Sequence, residues 1–187
     1  KDAVAQERFI EVGHSGLKHW GGVLDDEFLR ELKGQRGVTV YREMSRNDAV
    51  IGASLFAFTT LAKEVSFRVD SARAGDAQAD EVAEFVRGAL FDDMSLSWRD
   101  LLSEVFSFLT YGWAWFEVVY KRREGEQEDP TRRSRFDDKR IGWRKWAIRG
   151  QETLESWVID DAGGVNGMIQ RAAPRYERVE IPVERSL

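Results

Sequence analysis

The residues able to do chemistry are few, and their spacing argues against most of it. The two histidines, His14 and His19, stand five apart in GHSGLKHWGG, off any single helical face, and no HExxH pattern accompanies them. They read as loop residues packing beside Trp20 rather than as metal ligands. Adjacent acids recur at Asp25-Asp26, Asp92-Asp93, Asp137-Asp138 and Asp160-Asp161. Each falls at a helix edge or turn, where aspartate caps and tolerates the backbone. A general acid/base pair needs a pocket that drives two pKa values apart, and adjacency alone does not supply one. There is no GxGxxG or GxxxxGK[ST] phosphate cradle and no GxSxG elbow. No catalytic residue, metal site or cofactor is expected.

Two features remain. Glu117 sits inside the aromatic run FLTYGWAWFEVVYK, residues 108–121. Strict alternation places Trp113, Trp115, Glu117 and Val119 on one face and Ala114, Phe116, Val118 and Tyr120 on the other. Both faces are largely apolar, the mark of a strand covered on two sides. A glutamate there needs a partner, and the next strand offers Arg144, Lys145 or Arg149. The second feature is charge. Residues 121–149 carry eleven basic and six acidic side chains, +5 in a chain of net −5. Arg132, Arg133, Arg135, Lys139 and Arg140, followed by Trp143 and Trp146, combine phosphate-binding and base-stacking chemistry. However, both tryptophans fall in expected strands, and Glu124, Glu126, Glu128 and Asp129 offset the arm's charge. A solvated or partner-contacting arm is favoured over a nucleic-acid grip, which stays as the alternative.

The elements that would position these groups follow from periodicity. Residues 1–40 are expected to be irregular with a short helix at Asp25–Lys33, and GQRG at 34–37 reads as a turn. In SRNDAVIGASLFAFTTLAKEV, Asn47 or Asp48 caps a helix whose body is apolar on nearly every side, the pattern of a buried helix. Val65, Phe67 and Val69 alternate as a half-buried strand does. Helices follow at Asp80–Phe91 and Trp98–Tyr111, the second with Ser97 and Asp100 as a capping box and Gly112 as its left-handed stop. Strands then run through WAWFEVVYK, IGWRKWAIR, TLESWVID, GMIQR and VEIPVE, with a hairpin turn at 161–164. The polar arm 122–140 between the first two is read as solvated. Thus 41–111 is mainly helical and 112–187 mainly strand. The fold class is α+β: N-terminal helices packed on a C-terminal antiparallel meander sheet, as one domain over 1–187.

The composition agrees with a folded chain. It has 187 residues, 42% hydrophobic and 33% charged, with seven Trp, eleven Phe and no Cys. Disulfides and thiolate chemistry are thereby excluded. No run reaches the ~18–20 apolar residues of a membrane span, and no signal-peptide pattern opens the chain. The acidic balance argues against indiscriminate nucleic-acid binding.

The order of pieces resembles the portal protein of tailed bacteriophages. The matching segments are VYREMSRNDAVIGASL, EVSFRVDSA, DDMSLSWRDLLSEVFSFLTYGWAWFEVVYKRREG and IGWRKWAIRGQETLESWVIDDAGGVNGMIQ, with IPVERSL leading onward. Residues 10–187 are covered, and within the family the chain resembles the broad group that includes the Mu-like portals. The resemblance implies a wing-like domain of a structural virion protein at a capsid vertex, present in the host cytoplasm during assembly. It further implies a homo-oligomeric ring, usually of twelve subunits, with the large terminase, capsid or scaffold and tail adaptor proteins as partners. Double-stranded DNA would pass without tight binding, and no membrane is involved. Tyr111, Gly112, Trp115, Glu117, Trp143 and Trp157 are expected to be structural. The family's further wing, stem, clip and crown do not appear in this sequence, so an N-terminal wing part is expected.

Overall fold

The computed structural model describes residues 16, 18–24 and 27–187. The first described element is a small hairpin, β1 (His19–Trp20) with β2 (Val23–Leu24). A 3-10 turn at Arg30–Leu32 leads into α1 (Gly34–Asn47). The helix expected at Asp25–Lys33 is therefore reduced to that turn, with Asp25 and Asp26 outside the described residues. The expected GQRG turn is instead the first turn of α1. Gly37 shows why: a Cβ there would lie 2.1 Å from the Leu32 carbonyl oxygen, so only glycine lets the 3-10 turn pack on the helix.

Asp48 ends α1 and caps α2 (Ala49–Lys63), its carboxylate accepting from the N–H groups of Val50 (2.8 Å) and Ile51 (3.0 Å). The expectation that α2 is a core helix fails. None of its residues is buried in this chain, and Val50, Phe56, Phe58 and Leu61 stand well exposed. On its other side α2 packs against α1 and α4. The expected strand at 65–69 is also absent, because alternation makes a strand only where another strand offers its hydrogen bonds. Phe67 instead meets the Trp98 ring edge-on, centroids 5.4 Å apart.

Asp76 caps α3 (Ala77–Arg87), which continues into a π-helical turn at Gly88–Asp92. Ser97 caps α4 (Trp98–Val105), and α5 (Phe108–Tyr111) follows. The strands are β3 (Trp115–Arg122), β4 (Ile141–Arg149), β5 (Leu154–Ile159), β6 (Val165–Arg171) and β7 (Arg178–Pro182). All neighbours are antiparallel and consecutive, as a meander requires, but the ladder divides into β3-β4 and β5-β6-β7. The class is α+β.

Two further contacts complete the β3-β4 pair. A bulge opposite Val119–Tyr120 frees the Arg144 carbonyl, which accepts the Ser95 N–H at 2.8 Å. On the other edge, Phe116 and Leu187 exchange backbone hydrogen bonds of 3.0 and 2.9 Å, and Glu117 bridges Ser186. The core gathers Leu101 and Leu102 of α4, Phe116 and Val118 of β3, and Met168, Ile169 and Ile181 of β6-β7.

Candidate functional site

The junction of helices and sheets is built around Gly112. Its φ of +81° lies in the left-handed region, and its N–H donates to the Phe108 carbonyl at 2.7 Å, closing α5 before the chain enters β3. Buried Gln151 clasps the turn from the far side, its amide donating to Ser107 Oγ (2.8 Å) and the Trp113 carbonyl (3.0 Å). Trp157 of β5 meets Trp113 edge-on (centroids 5.0 Å apart) and Trp115 at a tilt (5.4 Å), so the junction also joins the two sheets. A second aromatic chain runs from Trp143 to Trp146 (5.6 Å) to Trp98 (6.2 Å), fixing β4 on α4. Tyr111, Trp113 and Trp157 border a cavity of about 620 Å³ whose opposite wall is Val38 and Tyr41 of α1. The wall is mostly apolar, and the Glu155 carboxylate among its lining residues is paired with Arg171 and Arg178.

Glu117 pairs with Arg149 of β4, one of the three cations the sequence offers. Lys145 lies opposite Val119 and Arg144 occupies the bulge. The Glu117 side chain is 31% exposed, so the pair is partly solvated. Glu117 is thus one partner of an ion pair rather than a carboxyl isolated in an apolar pocket. Nearby Glu104 differs: burial pushes its carboxyl above the ordinary range, opposed by the Lys145 charge.

The polar arm is largely exposed, as expected, but it is also anchored through buried groups that no local pattern announces. The Asp93 carboxylate is 1% exposed and accepts from Ser134 Oγ (3.0 and 2.9 Å) and the Arg135 N–H (2.8 Å). Lys121 Nζ lies 3.1 Å from Asp93 Oδ1 and donates to the carbonyls of Asp93 (2.6 Å) and Arg133 (2.7 Å). Arg123, also buried, pairs with Asp138 at 3.1 Å and lays its guanidinium over the Phe136 ring at 3.9 Å. Three of the five arm cations noted in the sequence are engaged in ion pairs. Arg133 pairs with Glu126 (2.8 Å), Lys139 with Asp137 (2.6 Å) and Arg140 with Glu81 of α3. Arg132 donates its N–H to the Asp129 carbonyl at 2.9 Å, and Arg135 contributes its backbone to Asp93. Asp129 is held below the usual carboxylate range, first by the Thr131 N–H and then by its hydroxyl. The signal that could have found this cluster is an Asp-Asp pair at a helix end facing a strand lysine, which is too common to stand out.

The remaining candidates separate as well. His19 is exposed on β1, and His14 lies outside the described residues. Asp160 caps its own turn through the N–H groups of Ala162 and Gly164. No group of three or more potential metal ligands occurs among the described residues. No helix among them is long and apolar enough to cross a membrane.

The family model described as the portal protein of Mu bacteriophage matches residues 38–185, from within α1 to the 3-10 turn Val183–Arg185. No curated protein matches the chain.

Proposed function

The chain belongs to the family of the portal protein of Mu bacteriophage, and on that premise we propose that it forms part of the ring at a capsid vertex through which phage DNA is packaged and ejected. The family supports the coarser statement directly: a structural protein of the phage virion, oligomeric and associated with the capsid vertex. The observation that carries the finer reading is the extent of the match, which takes in α2, the Gly112 junction, the anchored arm and both larger sheets. In this reading the protein performs no catalysis. It assembles in the host cytoplasm as a ring, twelve-fold in the full-length protein, which engages the large terminase, the capsid or scaffold and the tail adaptors. Tyr111, Gly112, Trp115, Glu117, Trp143 and Trp157 then serve as structure, holding the helical half to the sheets. DNA passes without tight binding, in keeping with a net charge of −5.

Negative-stain images and native mass measurement of the full-length gene product test this. Closed rings are expected, and a product that stays monomeric at micromolar concentration sinks the portal reading. The nucleic-acid alternative is less well supported, since three of the five arm cations are engaged in ion pairs. DNA affinity that falls with salt and drops on changing Arg132, Arg133 and Arg135 to Ala would favour it.

A further inference from the structure

We propose that α2 is a subunit-to-subunit contact, its exposed apolar face covered by a neighbouring copy of this chain in the ring. The inference rests on the portal reading for the existence of that neighbour, and on the following observations for its place.

The helix carries no charged residue from Ala49 to Ala62. Ile51, Leu55, Thr59 and Ala62 recur at helical spacing and are the half-buried side, toward α1 and α4. The rest of the circumference, roughly 200° of arc by helical geometry, holds Val50, Phe56, Phe58 and Leu61. Their exposures are 76%, 73%, 66% and 70%. Surface helices ordinarily turn charged side chains outward, so a solvent-facing arc without any is out of place on a free surface.

Area points to a macromolecular partner. The four side chains present on the order of 500 Å² together, and Val65 and Phe67 beside the helix end, 57% and 47% exposed, add more. One side of a standard protein interface buries about 800 Å². A single helix thus supplies most of one side of a stable interface, and of the apolar, charge-depleted kind that permanent assemblies use. A ring closes through head-to-tail contacts in which each copy offers two different surfaces. The neighbour therefore meets α2 with some surface other than its own α2.

The test places a photo-crosslinking phenylalanine analogue at Phe58 in the full-length product, assembled from equal amounts of isotopically light and heavy chains. Mixed light–heavy crosslinks from Phe58 to a surface other than α2 are expected. In parallel, the combined F56E, F58E and L61E variant should keep its circular dichroism and melting temperature while self-association weakens by about 100-fold or more, the result of removing three buried apolar anchors. Crosslinks confined to one chain, or α2-to-α2 crosslinks alone, overturn the proposal, as does a variant that assembles like the parent. Rings that form without α2 crosslinks between copies refute this inference and leave the portal reading standing. A parent that forms no assembly at all removes both.

Discussion

Lys121→Met isolates the anchor of the arm. Methionine keeps the length of the lysine stem, a side chain only 7% exposed, and removes the ammonium that meets three oxygens: Asp93 Oδ1 and the carbonyls of Asp93 and Arg133. The Asp93 carboxylate, 1% exposed, would keep its Ser134 and Arg135 donors but lose its only cation within 4 Å among the described residues. Breaking a buried pair from one side costs about 3–5 kcal/mol, because a desolvated charge is left uncompensated. For a chain of this length each kcal/mol moves the melting temperature by about 2–4 °C, so a drop of roughly 6–20 °C is expected. Urea unfolding followed by tryptophan fluorescence gives the free energy directly. Adding Asp93→Asn removes the orphaned charge while retaining the side chain's acceptor oxygen. The double variant should therefore be more stable than Lys121→Met alone by at least ~1 kcal/mol, a departure from additivity expected only of coupled groups. A single variant within ~1 kcal/mol of the parent, or a double variant that merely adds the two losses, would refute the assignment of this pair as a buried, coupled anchor.

Other substitutions test the junction and the titrating groups. Gly112→Ala forces a Cβ into the left-handed region and should cost about 1–2 kcal/mol, read from the urea midpoint at unchanged slope. Glu117→Gln removes a partly solvated pair, so a loss of only about 1 kcal/mol, shrinking in high salt, is expected from melts at two ionic strengths. The Glu155 carboxyl is held low, chiefly by the Arg171 hydrogen bond. A depressed folded pKa contributes stability above the unfolded value and loses it as pH falls through the folded one. Glu155→Gln should thus flatten the acid limb of the stability curve, below about pH 4.3. Glu104, raised by burial, has the opposite sign: its charged form opposes folding at neutral pH and its protonation relieves this. Glu104→Gln should leave neutral stability unchanged or higher and remove a gain otherwise seen on mild acidification.

What could be read from the sequence was what depends on neighbours along the chain. Asp48, Ser97 and Gly112 act on groups within four positions, so their roles follow from local pattern. The α1 helix was hidden because Gly34, Gly37, Val38, Thr39 and Val40 are all poor helix formers; packing against α2 and α5 overrides their propensity. Val65 to Val69 misled in the other direction, carrying a strand's alternation with no strand alongside. Asp93, Lys121 and Ser134 stand 28 and 41 positions apart as paired, so nothing in either neighbourhood announces the cluster. For α2 the hydrophobicity reads as a core helix, yet its apolar face stays exposed in this chain, because a local pattern says nothing of which surface, if any, covers it.

The pairing of β3 with Phe116 against Leu187 bears on how the protein is made. Residues 116 and 187 lie 71 positions apart, and at ~5–20 residues per second the ribosome needs several seconds to span them. Through that interval one edge of β3 offers open N–H and C=O groups beside Trp115, Phe116 and Val118. Closure of such a distant contact is also a slow step in folding. Nascent chains crowded on one message should therefore pass through a sticky stage at this strand. Shielding by a chaperone is most valuable between completion of β3 and release of residue 187.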